Sequence, residues 1–358
     1  MIKIRVAIYN IIIHNSQIIG FEPFKMVKYL TIVDTFIIVL TILTGSIKAQ
    51  DPPKLPTNFP LFTDGISSAP YLVTFPNIHE FHKVKGSITG NSQGTVHVYV
   101  NSGATDQSVF LEGVVYNNNY VHVPLRTSGN QERPQIKPGE VLVEANTEKF
   151  WPQGTAYTRR EIAQFGCNDD GTRCTTEGFR YRENGDIYNV NEGTFNPKGN
   201  GHVHAGGAHL DHSLVDGYTT KMLVAPDSER CLPYGCTEDP TGGWCPNTHK
   251  VILSDEPNHA GCASDCKIHN TDAACCKGIH DHNQCRASSQ HFSNRCKNSY
   301  AYAYDDRAGL KFCKEVPDVI YHFFNMDLDC DWAVVDPNTK ELSADSRKCL
   351  NRLIQAPA

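Results

Sequence analysis

Cys262 to Cys276 reads CASDCKIHNTDAACC, four cysteines within fifteen residues, the last two adjacent. A disulfide needs its two Cβ atoms facing each other about 4 Å apart, which neighbours in sequence do not readily achieve. Cys275 and Cys276 should therefore face two separate loops. Cys262 and Cys266, spaced i and i+4, would share a helix face, making this stretch the one plausible helix of its region. Around it, from Cys231 to Cys296, cysteines are dense and apolar residues thin, so cross-links substitute for a conventional core. All 14 cysteines of the 358-residue chain lie from Cys167 onward. The even count, with no CxxC pair to hold zinc, points to a full set of disulfides and an oxidising compartment.

The N-terminal half reads differently. From about residue 84 strand signals take over: GTVHVYV, YVHVPL and EVLVEA are β-prone, with Gly, Asn and Ser between them at the spacing of a β-sandwich or barrel. No long helical periodicity is legible before residue 220. Residues 51–60, DPPKLPTNFP, carry four prolines and read as an extended linker. Upstream, MVKYLTIVDTFIIVLTILTGSIKAQ from Met26 combines a lysine, an apolar run and small residues, a secretory signal expected to be cleaved after Ala49. Residues 1–25 then read as an unused upstream start. Asp34 and the shortness of the run from Phe36 to Leu43 argue against a stable membrane anchor. Net charge is −6 with Lys and Arg scattered, which argues against a nucleic-acid partner. No phosphate-binding loop, nucleotide fingerprint or Ser-His-Asp motif is present, and no cofactor is expected.

Three motifs in order carry a resemblance: DHSLVDGY (Asp211–Tyr218), CASDCKIHNTDAACC, and SSQHFSNRCKNSYAYAYDD (Ser288–Asp306). Over about residues 95–325 the chain resembles the thaumatin-like family of plant defence proteins. The resemblance implies a mainly-β fold: a sandwich with a disulfide-rich lobe, about 228–300, that contains a short helix. Residues 50–94 then form an N-terminal extension and 326–358 a C-terminal one. It further implies the pairs Cys167–Cys174, Cys231–Cys313, Cys236–Cys296, Cys245–Cys262, Cys266–Cys275 and Cys276–Cys285. The family's first-strand cysteine is missing from VHVYVNSGATDQ, and its partner position is Asn325. Cys330 and Cys349 lie beyond the family's usual end and are expected to close the C-terminal extension.

The same resemblance implies a secreted monomer whose acidic cleft binds β-1,3-glucan, in some members with weak endo-glucanase activity. Asp211 and Asp216 match two of the family's cleft aspartates, Arg160 its arginine and Glu192 its glutamate, while Asn298 replaces the third aspartate. Glycoside cleavage needs a proton donor and a second carboxylate, and crowded carboxylates raise one another's pKa. Asp211, Asp216 and Glu192 are thus the catalytic candidates, with Arg160 and Asn298 as binding residues. Asn298 brings hydrogen bonds but neither charge nor proton, which favours binding over turnover. Against this, Asp216-Gly217 is a common turn signal, and Asp305 and Asp306 read as a structural turn. His202, His204, His209 and His212 form a histidine cluster. His202 and His204 would share a strand face, a spacing suited to a metal, but their glycine-rich surroundings read as an exposed loop or a lid, and no metal is expected. The alternative function is a non-catalytic disulfide scaffold whose loops bind another protein.

Overall fold

The computed structural model describes residues 71–89, 95–103, 107–117, 122–127, 133–145, 157–164, 187–196, 207–228, 231–240, 242–252, 260–281, 284–326 and 344–354. The signal sequence, the proline-rich linker, His202, His204, Cys167, Cys174 and Cys330 lie outside them. So do the Cys167–Cys174 and Cys330–Cys349 bridges.

Two sheets form a sandwich. The first runs in the order β1 (Tyr71–Phe75), β6 (Val141–Ala145), β2 (Val96–Asn101), β15 (Val319–Phe324), β10 (Met222–Pro226) and β11 (Tyr234–Cys236). All its pairs are antiparallel except β2 with β15, which pair in parallel although about 220 residues apart in sequence. The second sheet runs β14 (Lys311–Cys313), β9 (Gly207–Ser213), β8 (Val190–Asn196), β7 (Tyr157–Gln164), β3 (Val109–Asn117) and β4 (His122–Pro124), with β5 (Gln135–Ile136) also on β3. Alternate side chains of the two sheets meet in one core. Tyr99, Leu142, Ile320 and Phe324 come from the first sheet, and Leu111, Val115, Tyr157, Phe195 and Leu210 from the second.

That core encloses a charged network. Arg159 is 1% exposed and donates to Glu144 Oε2 at 2.6 Å and to Glu161. Tyr99 and Asn191 also donate to Glu161, at 2.9 and 2.6 Å. Burial pushes the Glu161 carboxyl up, but the Arg159 guanidinium overrides it and holds the group below the usual glutamate value.

Helix α1 (Ile78–Thr89) lies within residues 50–94, which the sequence suggests are an extension without a helix. Its apolar stripe, Ile78, Phe81 and Val84, is buried on the outer face of the first sheet. Phe81 meets Phe75 at 5.9 Å and Tyr321 at 6.3 Å. Asn77 caps the helix by accepting from the Glu80 N–H at 3.0 Å. With β1 paired along all of β6, residues 71–89 belong to the sandwich. The apolar spacing in IHEFHKV spans fewer than two turns, too short to read as a period, and tertiary cover rather than propensity stabilises the helix.

The disulfide-rich lobe contains β12 (Lys250–Ile252), β13 (Ala260–Cys262), α2 (Asp265–His269), α3 (Asp272–Cys275) and α4 (Gln290–Arg295). The expected single helix is thus two short ones, each opened by a side-chain cap, Ser264 and Thr271. Cys262 ends β13 and does not share a helix face with Cys266. Cys276 takes a left-handed conformation, φ 54°, and turns away from Cys275. Phe292, Tyr218 and Trp244 fill the space among Cys236, Cys245, Cys262 and Cys296.

Candidate functional site

On the outer face of the second sheet, three charged side chains stand in one row. Cross-strand register places Arg160 of β7 opposite Glu192 of β8, and Glu192 opposite Asp211 of β9. Strand alternation sends all three to the same face. Arg160 Nε lies 2.7 Å from Glu192 Oε1, both side chains 32% exposed. Two carboxylates directly opposite each other repel, an arrangement that costs stability. The strain falls on Asp211, which is half-buried. Burial first, then the Glu192 charge, push its carboxyl up to about 8, against the opposing pull of Arg160. At neutral pH Asp211 therefore carries its proton and can donate it, while Glu192 is ion-paired.

Asp306, a turn residue by its sequence, joins this group. It opens helix α5 (Asp306–Gly309), accepts from the Tyr300 hydroxyl at 2.8 Å, and adds to the upward push on Asp211. Tyr300 is placed by its main chain: its N–H donates to the His212 carbonyl at 2.8 Å, alongside β9. Gly309 makes the approach possible, since a Cβ there would stand 2.0 Å from the Tyr300 ring. Asp305 is structural, its carbonyl accepting from Gly309 N–H at 2.9 Å. The signal for Asp306 and Tyr300 was the YAYAYDD motif itself, which fixes chain identity but says nothing about which of two acids faces β9.

The Thaumatin family model matches residues 117–324, more than half of the chain. This chain belongs to the thaumatin family. It is similar to Pathogenesis-related protein 5 of Arabidopsis thaliana, 36% identical over 193 residues, covering 50% of this chain and 77% of the relative. Pathogenesis-related thaumatin-like protein 3.7 of Cryptomeria japonica is 30% identical over 199 residues, covering 52% and 74%. Thaumatin-like protein 1 of Castanea sativa is 34% identical over 118 residues, covering 32% and 48%.

Among the described residues of this thaumatin-family fold five bridges are formed: Cys231–Cys313, Cys236–Cys296, Cys245–Cys262, Cys266–Cys275 and Cys276–Cys285. They are the pairs that the resemblance implies for these cysteines. The other site candidates fall in separate places. Asp216 lies in the turn after β9, closed by Gly217 N–H to the Leu214 carbonyl at 2.9 Å, where Gly217 takes φ +121°. Its carboxylate is 3.2 Å from Lys267 Nζ, so it joins β9's end to α2 and is not among the groups that shift Asp211. Asn298 accepts on its carbonyl from Gly235 N–H at 3.3 Å, pinning its segment to β11. His209 shares the outward face of β9 with Asp211 but packs on Phe312, ring centroids 5.1 Å apart. His212 points into the core, bonded to Asn189 and Ser299 at 2.8 Å each, and burial pushes its imidazole down to about 3. His209 and His212 therefore do not act together: they face opposite sides of β9. Among the described residues no helix is long and apolar enough to cross a membrane.

Proposed function

We propose that this chain is a secreted defence protein that binds β-1,3-glucan across the Arg160–Glu192–Asp211 row, with slow glycoside hydrolysis as a secondary activity. The observation that carries the reading is the pairing of a carboxyl that keeps its proton, Asp211, with an ion-paired carboxylate, Glu192, on the neighbouring strand. Glycoside cleavage uses such a pair, one acid to protonate the leaving oxygen and one carboxylate to attack or to activate water. Tyr300, Asp306 and Arg160 supply further hydrogen-bonding groups for sugar hydroxyls. One feature favours binding over turnover: Arg160 already engages Glu192. The relatives named as pathogenesis-related support the defence role.

The test is retention on insoluble β-1,3-glucan, cellulose and chitin, with reducing ends counted over time. Retention on β-1,3-glucan alone is expected, falling at least about tenfold in the Asp211→Asn/Glu192→Gln variant, which would also abolish the release of reducing ends. Retention unchanged in that variant would remove the row from glucan binding and put a protein-binding scaffold in its place.

A further inference from the structure

The lobe holds a second constellation, made of residues the acidic row does not use. His249 precedes β12, Asp265 opens α2 and His291 lies in α4, and one donor atom from each falls within 4.8 Å of the other two. Their remaining contacts decide which atom of each can hold an ion. The Ala263 carbonyl, 3.1 Å from His291 Nε2, can only accept, so Nε2 carries the proton and Nδ1 the lone pair. Thr248 Oγ1 stands 2.9 Å from His249 Nδ1, which turns His249 Nε2 toward Asp265 Oδ1 at 2.8 Å. The second Asp265 oxygen accepts from the Ser289 N–H at 2.5 Å, and Ser289 Oγ accepts from the Asp265 N–H at 2.8 Å. Each side chain is thus oriented through the atom that would not touch an ion, as in protein metal sites, where outer contacts fix ligand rotation and tautomer.

The frame is stiff. Cys245–Cys262 and Cys266–Cys275 bracket His249 and Asp265 in sequence and hold their segments together. Access is open: the Asp265 side chain is 28% exposed, while His249 is nearly buried. His269, one helical turn after Asp265, stands with its ring centroid 6.3 Å from that of His249.

We propose that His249, Asp265 and His291 form a binding site for a divalent transition metal of the zinc class. Two imidazole nitrogens and one carboxylate oxygen, with a place left for water, suit Zn2+, whereas Ca2+ and Mg2+ take oxygen donors. The ion replaces the proton shared by His249 and Asp265, and it ties β12, α2 and α4 at one point. The interior group His97, Glu161 and His322 offers the same donor types. There the Arg159 guanidinium already neutralises Glu161 and would repel a second cation.

The experiment uses the disulfide-intact chain, stripped by a chelator and titrated with Zn2+ in a calorimeter at neutral pH. One Zn2+ per chain is expected, with affinity at least about tenfold weaker in Asp265→Asn and in His291→Ala. A readout on the unmodified chain guards against misfolded variants. In proton–nitrogen correlation spectra of the imidazoles, Zn2+ should shift His249 Nε2 and His291 Nδ1, with the ring proton on the partner nitrogen of each in the bound form. The proposal is overturned if excess Zn2+ produces no heat, or if binding survives both substitutions, as it would were the ion held by His202, His204 and His209. Glucan retention plays no part in this test, so its outcome is independent of the acidic row.

Discussion

At the residue scale, Asp211 shows how position changes chemistry. An aspartate in water ionises near pH 4. Burial beside Glu192 and Asp306 pushes this one up to about 8. Between those values the folded chain holds a proton that the unfolded chain has released. Stability contributed by this group is therefore fully present at low pH and is lost as the pH rises through that window. Asp211→Asn removes the titration while keeping shape. The variant should melt at a higher temperature than the parent at pH 8, and the gap should close toward pH 4. A melting-temperature difference that is the same at both pH values would mean that Asp211 ionises like an exposed aspartate. Since retention on glucan is measured separately, the variant also distinguishes a proton donor from a residue that only shapes the strand.

At the element scale, β7 divides two adjacent arginines between two environments. Arg159 points into the sandwich, where it is the counter-charge for Glu144 and Glu161, and Arg160 points out to the row. Removing Arg159 strands two buried carboxylates, so Arg159→Ala should cost about 3–5 kcal/mol. Arg160→Ala breaks a partly exposed pair and should cost no more than about 1 kcal/mol. Urea unfolding of the two variants reads the difference directly. Equal midpoints would mean that β7 is shifted by one residue, since a one-residue slip exchanges the faces. Helix α1 makes the complementary point. Its cap, Asn77 with Glu80 three residues on, is a start signal visible in the sequence, but only the aromatic face of the first sheet gives Phe81 something to cover.

At the scale of the whole molecule, the disulfides differ in what they join. Cys231–Cys313 lies in the core and links the segment before β11 in one sheet to β14 in the other, across a separation of 82 residues. Cys276–Cys285 closes a separation of 9 within the lobe. Cys236–Cys296 already shortcuts the longer loop, so loop entropy alone favours the first bridge by only about 1 kcal/mol. Burial adds the rest, because alanine at Cys231 and Cys313 leaves a gap between the sheets. Differential scanning calorimetry of the two double-alanine variants should show the larger drop for Cys231/Cys313. A larger drop for Cys276/Cys285 would locate the stability of the fold in the lobe rather than in the sandwich.

The sequence by itself determined the family, through three motifs in order, and with it the sandwich, the lobe and the pairing of the ten cysteines whose bridges the structure describes. It also picked out Arg160 by its count back from Cys167, Glu192 from the stretch NVNEGTF, and Asp211 within DHSLVDGY. Tertiary structure decided what those residues do. Whether Asp211 or Asp216 meets Glu192 depends on strand register, and Asp306 reaches Asp211 only because α5 folds back onto β9. The pairing of His249, Asp265 and His291 is equally invisible in sequence, since they come from three segments joined by cross-links. Local patterns report which face a residue takes and where chains turn. Ionisation and coordination depend on the distance between side chains remote in sequence, and that distance is set only when the sheets and the lobe pack.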